Sequence, residues 1–371
     1  MYLLGPNAAG KSNFLDVMRF LRDLGKSKGG GLQEAVESRG GISKIRCLHA
    51  RQDTEVLIDI DIVDDAGTGG WNYAVGFNIP STGFEKNRRP YITKEIVNRI
   101  DCNGEKTNLL TRPNEEDDRD EAQRQQTYLE QINTNKDFRF LAEFFGSITY
   151  YHLVPQLLKF GDEMGGRTLE DDPFGQEFLL RVSATQERTR NSRLKKIEKA
   201  LRSVVPQMED LKFLKDVITG RPHLEIKFKH HRPRGARQRE DQFSDGTLRL
   251  IALFWLLQET GDAPLLLEEP ELSLNEEVVR QLSYLIETVK RRRSGGSGRQ
   301  VFITTHSYAL LSNPGIDADG IIVIDPSDDG SNTRKVNEAE QAALSAGLSP
   351  AEVVLPHARG LHVGMQLKLD L

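Results

Sequence analysis

The sequence predicts an α/β fold with a mixed, mostly parallel core sheet and an antiparallel β subdomain. Three observations predict it. Short apolar strands alternate with helical patterns from residue 242 to 325, the grammar of a parallel sheet. An apolar lead, Met1–Leu4, runs into a glycine-bearing loop and then a helical pattern. Strand-like runs with turn residues between them fill residues 54–101.

The loop is Gly5-Pro6-Asn7-Ala8-Ala9-Gly10-Lys11-Ser12. It fits G-x-x-x-x-G-K-[ST], the Walker A pattern. Gly5 and Gly10 let the backbone wrap closely, so that its N–H groups can face phosphates. Lys11 would bring a compact positive charge to the β- and γ-phosphates, and Ser12 a hydroxyl to Mg²⁺. Asn13 follows in the first turn of a helix marked by Phe14, Leu15, Met18, Leu21 and Leu24, whose N-terminus adds to an anion site. ATP with Mg²⁺ is the expected ligand. Only four residues precede the loop, so the natural protein is expected to begin upstream or to lack part of its first sheet.

Next come strands expected at Thr54–Val63, Trp71–Pro80 and Tyr91–Asp101, with a hairpin turn over 64–70. Val56, Ile58, Ile60 and Ile62 alternate as a half-buried strand requires. Glu115–Glu121 is acidic and reads as a solvated loop or helix start. A helix is expected over Gln123–Phe145, a strand over Ser147–Leu153 and a break at Val154-Pro155-Gln156. Lys159–Gly175 reads as loop, Gln186–Arg202 as a basic helix and Val217–Lys229 as a hairpin turning at Gly220-Arg221-Pro222. Thr247–Gln258 is apolar almost all round, the mark of a buried helix. Strands at Ala263–Leu267, Val301–Thr305 and Gly320–Asp325, an amphipathic helix at Glu276–Arg293 and a flexible loop at Ser294–Gly298 complete the pattern.

Charged residues make up 28% of the 371 and no apolar run is long enough to span a bilayer, so a soluble protein is expected. The N-terminus has no signal-peptide character. Cys47 and Cys102 form no metal pattern, and a reduced, cytoplasmic setting is the default. A net charge of −5 confines any nucleic-acid surface to a local patch.

Leu265-Leu266-Leu267-Glu268-Glu269-Pro270-Glu271 is an apolar strand ending in carboxylates. Glu268 stands where a Walker B acid holds Mg²⁺. Glu269 can orient and deprotonate the attacking water. Val301-Phe302-Ile303-Thr304-Thr305-His306-Ser307 is a second strand, ending in a histidine where ligands bind in open α/β sheets. His306 there could stabilise transferred charge. Ser244, Asp245 and Gly246 open the buried helix, a phosphate-binding geometry as well as an ordinary N-cap.

In this order the motifs resemble the ATP-binding-cassette (ABC) ATPases, in the branch of RecF, the SMC (structural maintenance of chromosomes) heads and the ATPase part of the OLD (overcoming lysogenization defect) nucleases. Stand-alone bacterial AAA-type members, defence-associated among them, carry a segment similar to residues 31–41. The resemblance implies a P-loop NTPase head of ABC type. Residues 1–155 and 242–371 would form the ATPase lobe, and 156–241 a helical lobe. It makes Ser244-Asp245-Gly246 the signature, Leu272-Ser273-Leu274-Asn275 the D-loop and His306 the switch histidine. Two heads would sandwich two ATPs, each signature completing the other copy's Walker A site. The Q-loop residue that contacts the metal would be Gln156, with His152 as the alternative. Glu268 replaces a frequent Asp, Asp245 replaces the Gly of transporters, and Asn275 stands where relatives often carry His.

The resemblance therefore implies a homodimeric ATPase that switches a nucleic-acid-linked process, foremost anti-phage defence through an effector protein in trans. A RecF-like repair ATPase is the alternative, and a transporter subunit a lesser one. The stretch after His306 is short for a nuclease domain, so a nuclease is expected on a separate chain, and no membrane partner is implied. Arg232, Arg234, Arg237 and Arg239 precede the signature. They can touch nucleic-acid phosphates or form a solvated loop.

Overall fold

The computed structural model describes residues 1–46, 54–63, 68–80, 89–164, 168–229, 236–259, 263–291, 299–328 and 330–358. The chain forms two compact units. One comprises Met1–Lys11, Thr149–Asp325 and the residues from Thr333 on; the other comprises Ser12–Ile148 and Pro326–Asn332. The expected turn at 64–67, the loop at Ser294–Gly298, Cys47, Arg232 and Arg234 lie outside the described residues.

Among the described residues, thirteen strands form three sheets: β1 (Tyr2–Leu4), β2 (Val56–Val63), β3 (Gly70–Asn78), β4 (Tyr91–Ile100), β5 (Lys106–Arg112), β6 (Thr149–Tyr151), β7 (Met208–Lys215), β8 (Pro222–Phe228), β9 (Ala236–Arg239), β10 (Leu265–Glu268), β11 (Val301–Thr305), β12 (Ile321–Ser327) and β13 (Gly330–Lys335). The six-stranded sheet runs β13-β12-β1-β11-β10-β6, and β1 lies inside it, parallel to both neighbours. β2-β3-β4-β5 form the expected antiparallel sheet, and β7-β8-β9 a second antiparallel one. The α/β fold class expected from the sequence is the one observed. Among the described residues, no helix is long and apolar enough to cross a membrane.

The helix Asp245–Leu257 forms the centre of the first unit's core. Every residue from Leu248 to Leu257 is buried, and helices Pro155–Met164, Glu187–Leu201 and Glu276–Arg291 all contact it. Apolar side chains on all sides leave it no solvent face, which is what the sequence pattern demands.

In three places the structure corrects the expected elements. The helix expected over Gln123–Phe145 exists only as a short 3₁₀ turn at Glu121–Gln125 and a helix at Arg139–Gly146. Between them, buried Glu95 accepts the amides of Tyr128 and Leu129 at 2.8 and 3.1 Å. Asn135 donates to the Leu129 carbonyl at 2.9 Å. These side chains compete successfully for groups that a helix would use. Glu95 is held by Arg112, which also pairs with Asp117 and lies over the Tyr128 ring at 3.8 Å.

The loop expected from Lys159 begins instead as a helix, Pro155–Met164. Pro155 starts it rather than breaking the chain, because proline's missing N–H is no loss in a first turn. The hairpin near 220 is real, but its first strand is Met208–Lys215, and Val217 and Ile218 sit exposed in its turn. Asp216 fixes that turn by accepting the amides of Ile218 and Thr219, each at 2.9 Å.

Candidate active site

Parallel pairing brings the motifs to one edge. Leu4 lies opposite Thr305, Glu268 opposite Thr304, and Leu267 opposite Tyr151. The residues that follow these strands therefore leave the sheet together: Gly5, Glu269, His306 and His152. This is the carboxyl edge, where open α/β sheets bind ligands.

The loop after β1 is tightly held. Ala8 and Gly10 adopt left-handed φ values of 63° and 96°, and the Ala9 amide donates to the Pro6 carbonyl at 3.2 Å. A Cβ on Gly5 would lie 2.6 Å from the Ile324 carbonyl oxygen, so only glycine lets the loop leave the sheet beside β12. Lys11 is 8% exposed and donates to the carbonyls of Gly5 and Pro6, each at 2.9 Å. Burial holds its ammonium below the usual lysine range, while Glu269, Glu268 and Glu271 pull the other way. Ser12 and Asn13 are exposed in the first turn of the helix Lys11–Gly25.

At the end of β10, Glu268 accepts a hydrogen bond from the Tyr150 hydroxyl on the neighbouring β6. Glu269 stands at φ 43°, a conformation that costs a non-glycine residue about 1 kcal/mol or more. Its amide donates to the Thr304 carbonyl at 3.2 Å, and its carboxylate meets His306 Nδ1 at 2.8 Å.

Glu271 is buried. It accepts from the Thr305 hydroxyl through Oε1, while Oε2 has no hydrogen-bond partner among the described residues. Burial raises its carboxyl above the usual range; the Thr305 hydrogen bond opposes this, and the Glu269 charge adds to it. Arg249, buried in the helix Asp245–Leu257, donates to the Leu153 carbonyl, and its Nε has no hydrogen-bond partner among the described residues. Burial lowers its pKa, against the pull of Glu271, Asp245 and Glu269.

Ser244 caps that helix, accepting the Thr247 amide at 3.2 Å, and is exposed while Asp245 and Gly246 are half-buried. A Cβ on Gly246 would come within 3.0 Å of the Ser273 carbonyl oxygen. Asp245 pairs with Lys159 at 2.7 Å and accepts from the Gln156 amide at 3.2 Å. Gln156 is thus placed beside Asp245. His152 packs edge-on against Phe174, with centroids 6.3 Å apart, and its buried Nδ1 has no hydrogen-bond partner among the described residues. Of the four basic-loop arginines, Arg237 pairs with Glu225, and Arg239 lies 3.9 Å from Asp216.

The sequence reading assigned no role to Tyr150, Lys159, Arg249 or Glu271. Arg249 carried a readable signal, a charge inside an otherwise apolar helix. Tyr150 and Lys159 carried none, because their contacts span 118 and 86 residues.

A family model described as "AAA domain, putative AbiEii toxin, Type IV TA system" matches residues 1–312. The chain belongs to this family. The AAA-domain match takes in the Walker A loop, the Ser244–Gly246 turn, β10 and His306. No curated protein shows significant similarity. Among solved structures, the chain is similar to an Smc head bound to the C-winged helix domain of ScpA, with 14% identity, 91% of each chain covered and a TM-score of 0.47. It is similar also to the SMC head domain from Thermotoga maritima, with 13% identity, 91% and 89% covered and a TM-score of 0.39. For the recombination mediator protein RecF the values are 15%, 90% and 91%, and 0.29. Membership of the AAA-domain family therefore rests on the sequence match.

Proposed function

We propose that this chain is a Mg²⁺-dependent ATPase that dimerises head-to-tail around ATP and switches an effector protein in trans, in defence against phage. The observation that carries the reading is the Glu269–His306 contact of 2.8 Å, on the sheet edge that also carries the Walker A loop.

The residues present fit a nucleoside triphosphate with Mg²⁺. Left-handed turns at Ala8 and Gly10 shape a loop around the buried Lys11 ammonium, a nest for phosphate oxygens. The Walker A and Walker B patterns make Ser12 and Glu268 the expected side-chain oxygen donors to Mg²⁺ beside phosphate. Bound there, Mg²⁺ would neutralise charge on the β- and γ-phosphates. Lys11 would exchange its two carbonyl partners for phosphate oxygens. Glu269 would take the proton of the attacking water, its carboxylate aimed by His306.

Completion by a second copy is supported by the signature turn. The helix Asp245–Leu257 is buried from Leu248 on, while its opening turn, Ser244 to Thr247, is exposed or half-buried. The effector and defence role is supported by the toxin–antitoxin wording of the family description. Asp317 caps its own turn and Asp325 pairs with Arg334, which fits an effector activity on another chain.

A mixing experiment tests the dimer. Lys11→Ala and Ser244→Arg chains should each be inactive alone. Mixed in equal amounts, they should regain roughly a quarter of wild-type hydrolysis, because half the dimers then hold one intact composite site. A mixture as inactive as its parts would refute the shared site.

A further inference from the structure

The helix Glu187–Leu201 carries more positive charge than its packing uses. Leu194, Ile197 and Leu201 form its buried seam. Arg190 lies over the Phe213 ring at 4.1 Å and donates to the carbonyls of Ser183 and Thr185. Arg193 lies over Trp255 at 5.1 Å. Arg202, just past the end, pairs with Glu198 at 2.6 Å. Arg188, Lys195, Lys196 and Lys199 remain, all exposed, and none has an ion pair or side-chain hydrogen bond among the described residues.

These four form a row. At about 100° per residue, Arg188, Ser192, Lys195 and Lys199 fall within roughly 60° of one another, opposite the buried seam, with Lys196 at the margin. Glu187 points about 100° away from Arg188, and Glu198 is occupied by Arg202 and the Leu211 amide. Arg237 and Arg239, by contrast, already face carboxylates.

We propose that this row docks the phosphate backbone of duplex DNA, without regard to base sequence. A helix of this length spans about 22 Å, along which a duplex presents a phosphate charge every ~1.7 Å. The chemistry of the face argues against other partners. It carries no apolar residue, whereas a protein interface needs an apolar core. It carries no aromatic ring, whereas single strands are held by stacking. Double-stranded-RNA-binding domains grip their duplex across two successive minor grooves, over about 16 base pairs, a longer footprint than this one row offers. The proposal rests on the charge and geometry of one helix and not on the ATPase reading.

The test is fluorescence anisotropy of the full chain with a labelled 30-base-pair duplex of arbitrary sequence, over about 50–200 mM salt, without nucleotide. The wild type should bind with a steep salt dependence. R188Q/K195Q/K199Q should weaken binding at least tenfold and flatten the log–log salt slope by about 2.7, or ~0.9 per phosphate contact. The same variant should keep the wild-type melting temperature and ATPase rate, which separates failure here from failure of the ATPase reading. Lys195→Arg with Lys199→Arg should retain binding, since charge and not lysine is required. Unchanged binding by the Gln variant, no duplex binding by the wild type, or preference for single strands or duplex RNA would each overturn the proposal.

Discussion

Glu269 and His306 meet at 2.8 Å although 37 residues separate them in the chain. The contact follows from register: Glu268 lies opposite Thr304 in parallel strands, so the residues just past each strand's end converge. His306→Ala should therefore lower kcat by roughly 10²–10³-fold with little change in KM, as loss of a transition-state contact does. Combined with Glu269→Gln it should cost little more than either change alone, because the two side chains act as one unit. Steady-state kinetics of the two single variants and the double variant check this.

Lys11 donates to the Gly5 and Pro6 carbonyls, and in the proposed function it exchanges them for phosphate oxygens. Lys11→Ala should abolish the rise in melting temperature that Mg-ATP gives the wild type. Without nucleotide it should cost about 1–2 kcal/mol, since the Gly5 and Pro6 carbonyls lose a charged donor. Thermal melts with and without Mg-ATP measure both effects.

Glu271 gives a pH dependence with a definite sign. Its carboxyl is raised in the folded chain by burial, so the native state keeps this proton to higher pH than the unfolded chain does. The stability this contributes is complete below the ordinary carboxylate range and is lost as pH rises through the raised value. Glu271→Gln keeps an acceptor for Thr305 and cannot ionise. Its melting temperature should gain on the wild type between pH 4 and 8, an interval set by ordinary carboxylate behaviour and neutrality. A difference that stays constant with pH would show a solvated carboxylate.

Most of the chemistry-bearing skeleton was legible because it is local. The Walker A loop, β10, β11 and the buried helix each announce themselves through apolar runs and flanking residues within a dozen positions. Long-range contacts were not legible. Buried Glu95 takes the amides of Tyr128 and Leu129 from 33 and 34 residues away, and so removes a helix that the local pattern favours. Tyr150 reaches Glu268 only because β6 and β10 pair. Gln156 was assigned by order along the chain, and the fold sets it against Asp245.

Two glycines should respond differently to alanine. A Cβ on Gly5 would lie 2.6 Å from the Ile324 carbonyl oxygen and 3.1 Å from Ala9 Cβ. Gly5→Ala should destabilise by about 1–3 kcal/mol, as overpacking against backbone does, and weaken ATP binding. At Gly246 the nearest atom would be 3.0 Å away, the Ser273 carbonyl oxygen, on an exposed loop. Gly246→Ala should keep ATP binding and most stability yet lower hydrolysis. Denaturant melts and nucleotide titration of both variants separate the two.

The most direct measurement of the central claim is the mass of Glu269→Gln in Mg-ATP, taken alongside its hydrolysis rate. Hydrolysis should fall at least 10²-fold, the contribution of a positioned base. The protein should shift from the 41.8 kDa chain to twice that mass and hold there while ATP is present. A variant that hydrolyses ATP at the wild-type rate, or that stays at single-chain mass in saturating Mg-ATP, would contradict the account.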